Sequence, residues 1–267
     1  MNGGGMNAHT PVTDNIAELS TGKIFYRDSG GSGVPVIFLH AASGSSMLWE
    51  HQIPAFTQAG FRFIAIDYRG VDGASGAGDW SDPIDELLTR LAVDRFHLLG
   101  TAAGGGTALQ YALGYMNRLR SIIIANSHGN VQDADYLDMG KRMRPPAFDA
   151  LPVDLRELGP SYRAANPEGV ARWLALSSPV RPSANTRKPP SLSAARTVTW
   201  ARLEALKLPV LLVTGDADLY TPPSVLRLFA RHIRHAESTI IPETGHSSYW
   251  ESPELFNRTV LEFIRKH

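Results

Sequence analysis

The stretch Phe96-His97-Leu98-Leu99-Gly100-Thr101-Ala102-Ala103-Gly104-Gly105-Gly106 constrains this chain more than any other. An apolar run enters a glycine-flanked corner and leaves it as a helical sequence, Thr107-Ala108-Leu109-Gln110-Tyr111-Ala112-Leu113. The layout is that of a Gly-x-Ser-x-Gly elbow, where a strained strand-to-helix turn lifts the central side chain above a sheet. Glycines belong there because strand and helix pass too close for a Cβ. The central residue is Ala102, so the corner is laid out for a nucleophile that this sequence lacks.

Around that corner the chain alternates buried strands with helices. Val34–Leu39 is a continuous apolar run and Phe61–Ile66, Ser121–Ala125 and Pro209–Thr214 are largely apolar, as strands covered on both faces are. Lys23–Arg27 alternates like a half-exposed strand, and Ser238–Ile241 reads as the last one. Helices are expected over Ser46–Ala59, Pro83–Leu91, Pro223–His232 and Pro253–Lys266, the last capped by Ser252. This rhythm predicts an α/β fold with a mostly parallel sheet flanked by helices. It pauses between Ser127 and Leu206, where short amphipathic pieces such as Pro167–Leu176 and Ala194–Leu206 predict a helical insertion. The expected organisation is a flexible leader and N-terminal segment over 1–21, a core over 22–126 and 207–267, and a helical lid over 127–206.

Composition narrows the function. Formal charge is zero, with 26 basic and 26 acidic residues, so there is no footprint for nucleic acid or an anionic membrane. Cysteine is absent, which excludes disulfides, thiolate metal sites and a cysteine nucleophile. No run is long and apolar enough for a membrane span. The start, Met1-Asn2-Gly3-Gly4-Gly5-Met6, lacks a signal peptide's apolar centre, so the cytoplasm is the default location. Zero net charge leaves the oligomeric state open.

Groups at the carboxyl ends of strands are where an open α/β sheet keeps its chemistry. Here they are His40-Ala41-Ala42, Asp67, Ala102, Ser127-His128, Gly215-Asp216-Ala217-Asp218 and Thr244-Gly245-His246. With Asp67-Tyr68-Arg69-Gly70 and Trp250-Glu251-Ser252-Pro253, these pieces in this order resemble the α/β-hydrolase superfamily from Gly22 to His267. The likeness is to its small lidded ester and lactone hydrolases. It departs from the pattern at Ala102, at Ala41 where glycine is usual, and at Asp72, one residue beyond the common turn spacing.

The resemblance implies acyl transfer to water by a Ser-His-Asp mechanism, without cofactor or metal, on a small apolar ester or lactone. It assigns His246 as base and Asp218 as acid, with Asp216 on the same loop as competitor. Ala102 takes the nucleophile position, and the N–H groups of Ala42 and Ala103 the oxyanion. His40, Ser43, Ser127, His128, Trp173 and Trp250 are pocket candidates, together with Trp49, Met139, Met143 and Tyr162. His40 is equally a structural hydrogen-bonder, and His97 a core histidine. Two readings of Ala102 stand side by side. One is an inactivated serine-to-alanine form of the hydrolase. The other is a native alanine in a ligand-binding or proton-abstracting relative. A carbon–carbon bond hydrolase of a vinylogous diketone is the alternative activity.

Overall fold

The computed structural model describes residues 11–68, 78–177 and 191–267. Arg69, Gly70, Asp72 and the Met1–Met6 leader lie outside them. Eight strands form one sheet in the order β1-β2-β4-β3-β5-β6-β7-β8. They are β1 (Thr13–Leu19), β2 (Gly22–Asp28), β3 (Pro35–Leu39), β4 (Arg62–Asp67), β5 (Phe96–Thr101), β6 (Leu119–Ala125), β7 (Val210–Gly215) and β8 (Glu237–Ile241). β2 runs antiparallel to both its neighbours, β1 and β4, and β3 to β8 are parallel to one another. β1 falls inside the 1–21 segment, where no strand is predicted. Its residues Thr13, Asp14, Asn15 and Glu18 give little apolar signal because it is an edge strand paired only with β2.

Helices cover both faces. They are α1 (Gln52–Gln58), α2 (Ser81–Arg90), α3 (Ala103–Tyr115), α4 (Ala134–Met143), α5 (Pro146–Asp149), α6 (Val153–Glu157), α7 (Pro160–Ala165), α8 (Pro167–Ser177), α9 (Trp200–Glu204), α10 (Pro223–His232), α11 (Ser248–Glu251) and α12 (Pro253–Ile264). Alternation along each strand splits the core in two. Ile37, Leu39, Ile64, Leu98, Ile122 and Leu212 face one layer with residues of α2, α3 and α10. Val36, Phe38, Phe63, Leu99, Ile123 and Leu211 face the other, with Trp49, Trp173, Tyr249 and Phe256.

The helix expected over Ser46–Ala59 is two pieces, a 3-10 turn at Ser46–Trp49 and then α1. Pro54 explains the restart, since proline is tolerated in a first helical turn and not deeper. Ser252 does hold the N-cap position of α12, but its side chain makes no capping bond.

Strand order reverses beside β3: β4 lies on one side of it and β5 on the other. The loops leaving β3 and β5 therefore part in opposite directions and open a crevice at the strand ends. Register aligns those ends, with Leu39 opposite Gly100, Thr101 opposite Ala125, and Gly215 opposite Ile241. His40, Ala102, Asn126, Asp218 and His246 all follow onto this one edge.

Candidate active site

The elbow is built as the glycines require. Ala102 has φ 50° and ψ −115°, a left-handed backbone that a residue with a Cβ adopts only at a cost of about 1–3 kcal/mol. Three bonds hold it there: its N–H donates to the Ala125 carbonyl at 3.0 Å, and its carbonyl accepts from Ser127 Oγ at 2.5 Å and from the Gly105 N–H at 3.1 Å. A Cβ on Gly104 would sit 2.2 Å from the Leu39 carbonyl oxygen, so β3 and α3 can meet only across a glycine. Ala103 begins α3, where N–H groups have no helical carbonyl to bond.

His246 and Asp218 form a close pair. Nδ1 of His246 lies 2.9 Å from both carboxylate oxygens of Asp218. The carboxylate also accepts from Tyr220 N–H (2.8 Å), Thr221 N–H (2.9 Å), Thr221 Oγ1 (2.6 Å) and Asn126 Nδ2 (3.0 Å). Burial alone would raise the Asp218 pKa, but the charge and hydrogen bond of His246, with those of Thr221 and Asn126, hold it below the carboxylate range. Burial likewise pulls His246 down, and Asp218, with help from Glu157, outweighs it, so the imidazole pKa lies above its ordinary 6.5. Asp216 is exposed, and the carboxylate that meets His246 is that of Asp218.

Sequence alone assigns no role to the groups that hold this pair. Asn126, in the left-handed region at φ 47°, bonds Asp218, the Gly245 carbonyl (3.1 Å) and Ser248 Oγ (2.5 Å). Asparagine tolerates such a backbone because its short polar side chain bonds locally. Glu251 accepts from the N–H groups of Gly159 (2.7 Å), Gly245 (3.0 Å) and Ser247 (3.3 Å), and so ties the histidine loop to the start of α7. Burial pushes its carboxyl up to about 7, against the pull of those donors. Glu251→Ala would strand three main-chain donors, at about 2–4 kcal/mol. Urea denaturation checks this; an unchanged midpoint would show that water replaces the carboxylate without loss.

The remaining candidates divide. Ala42 is exposed in a turn closed by Gly44 N–H on the Ala41 carbonyl at 3.1 Å. Ser43 donates to Glu157 at 3.2 Å. His40 is buried with Nδ1 2.7 Å from the Ala41 carbonyl and its ring against Tyr68, a structural position under the loop. Ser127 bonds two main-chain groups, which makes it a brace for the elbow. Trp173, Trp250 and Trp49 are buried in the apolar layer of α12. His97 is a core histidine, 2.8 Å from Ser121 Oγ and pushed down to about 4 chiefly by burial. His128, also near 4 through burial and then Arg144 and His246, lines a cavity of about 120 Å³ with Met139, Met143, Arg144 and Tyr220. The Tyr220 ring lies 4.4 Å from that of His246, so this cavity adjoins the pair.

Among the described residues no group of histidines and carboxylates could hold a metal ion, and no helix is long and apolar enough to cross a membrane.

Comparison with known proteins agrees with this fold. BpoC of Mycobacterium tuberculosis is 26% identical over 255 residues, covering 89% of this chain and 96% of that protein. A 2-hydroxy-6-oxononadienedioate/2-hydroxy-6-oxononatrienedioate hydrolase of Burkholderia vietnamiensis is 25% identical, covering 94% of each chain. The solved structure of Est816, described as an N-acyl homoserine lactone degrading enzyme, superposes with a TM-score of 0.74 at 27% identity, covering 93% of this chain and all of that one. Residues 34–253 match the alpha/beta hydrolase fold, and the chain belongs to that family.

Proposed function

We propose that this site is that of a carboxylic ester or lactone hydrolase of the Ser-His-Asp type, with Ala102 standing at the nucleophile position. The observation that carries the reading is the strained elbow at Ala102, kept beside an intact His246–Asp218 pair. A backbone so costly has its use in presenting a side chain to the crevice. In the serine form, Nε2 of His246 would take the hydroxyl proton while Asp218 holds the imidazolium, and the N–H groups of Ala42 and Ala103 would receive the oxyanion. The helices between β6 and β7 act as a lid, and the cavity by His128 and Met143 receives an apolar part of the substrate. A methyl group has no lone pair, so the chain with Ala102 is the inactivated form and binds substrate without the covalent step.

The Burkholderia vietnamiensis relative is named for a dicarboxylate substrate, which keeps carbon–carbon cleavage as the alternative.

The test is calorimetric titration of the chain with short esters and γ-lactones, followed by turnover of the same compounds by Ala102→Ser. Saturable binding by the alanine form and consumption by the serine form support the reading. Equal consumption by both would sink the covalent mechanism, and binding without consumption in either form would favour a binding protein with a native alanine.

The pH profile carries a further prediction. His246 must be neutral to act as base, and its pKa is raised, so the serine form should gain activity with rising pH through a midpoint above 6.5. A pH–rate profile showing full activity already at pH 5.5 would contradict this.

A further inference from the structure

The mechanism above leaves unused a buried carboxyl group beside the catalytic pair. Glu157 ends α6 and is 6% exposed. Its main-chain oxygen accepts the Ser247 N–H at 3.0 Å, which pins it next to His246 whatever its side chain does. Oε1 accepts one long bond, from Ser43 Oγ at 3.2 Å. Oε2 receives none from any described residue, and it is not among the polar atoms sealed from solvent.

A carboxylate offers about four acceptor positions, so most of this group is unused. The charged and titratable groups around it are His246, Asp218 and Arg156, with Tyr220 and Tyr249 also within its field. None of them donates a hydrogen bond to it, and the Arg156 guanidinium is turned to Asp149 at 3.5 Å. Oε2 is open to solvent, so a ligand that brings a donor can reach it.

Its place narrows the donor. Ser43 follows Ala42 on the oxyanion loop, and Ser247 follows His246. Glu157 therefore spans the two loops that flank the reacting carbonyl, and a donor one or two bonds from that carbonyl would reach it. Resting on the hydrolytic reading, we propose that Glu157 is a subsite for a neutral hydrogen-bond donor, an amide N–H or hydroxyl on the carbon next to the scissile carbonyl. Burial disfavours its own charge, which suits a neutral donor better than an ammonium.

The experiment uses two γ-lactones, one unsubstituted and one α-acetamido. Each is titrated calorimetrically into the Ala102 chain and into its Glu157→Gln and Glu157→Leu variants. The acetamido lactone should bind about 10-fold tighter than the unsubstituted one. Glu157→Leu should erase that preference, while Glu157→Gln, whose carbonyl still accepts, should keep part of it. Where leucine disturbs folding, the isosteric glutamine variant decides, with a preference below the parent's that does not vanish. An equal preference in all three chains, or no preference in the parent, overturns the proposal. Turnover by Ala102→Ser reports the hydrolytic reading separately: lactones that bind with the Glu157 preference but are not cleaved would overturn that reading and leave the subsite standing. Binding of no lactone by any form would overturn both.

Discussion

Ala102→Ser should hydrolyse short p-nitrophenyl esters at least about 1,000-fold faster than the chain carrying alanine, with a burst of p-nitrophenol equal to the enzyme present. The gain is large because everything but the hydroxyl is in place. The backbone at residue 102 already has the elbow conformation, at φ 50°. Asp218 is fixed by Asn126, Thr221 and Tyr220 N–H, so its bond to His246 needs no rearrangement. A single atom then supplies the nucleophile to a preorganised base, and effects of groups acting as a unit are far from additive. Stopped-flow release at pH 8 measures it. A gain below 10-fold would mean that the residue 102 side chain and His246 are not within working reach.

Gly104→Ala should have the largest effect on stability. Helix propensity alone favours alanine over an interior glycine by about 1 kcal/mol. Here the new Cβ would lie 2.2 Å from the Leu39 oxygen and 2.8 Å from the His40 oxygen, main-chain atoms of a central strand with nowhere to move. The expected loss exceeds about 4 kcal/mol, seen as a fall of roughly 10 °C in melting temperature. Gly140→Ala in α4 is the control, because its Cβ would meet only the flexible end of Arg144 at 3.1 Å. Its stability should hold or rise. Equal behaviour of the two variants would contradict the close approach of β3 and α3.

Much of this arrangement can be read from the sequence, for identifiable reasons. Strands β3 to β7 are apolar runs because helices cover both faces, so burial itself writes their limits. His246 and Asp218 stand out by following strands in an order that only a sheet edge brings together. β1 hides because an edge strand needs little apolar content, and Pro54 divides a helix whose periodicity looks continuous. Asn126, Glu157 and Glu251 are missed for a common reason. Their partners lie 92 to 122 residues away in several cases, as with Asn126 to Asp218, Ser43 to Glu157 and Gly159 to Glu251, and no local pattern encodes such contacts. Ser127 has the converse fault: a strand-end serine looks like a pocket group, yet its hydroxyl is taken up by Ala102 and Gly129.

Covalent trapping shows whether residue 102 is a nucleophile position served by His246. Ala102→Ser is treated with an alkyl fluorophosphonate and digested, and the peptide holding residue 102 is weighed. One phosphonyl adduct per chain on the introduced serine is expected, absent from the alanine form and lost when His246→Ala is added. No label on that serine, or equal labelling with His246 removed, would contradict that role.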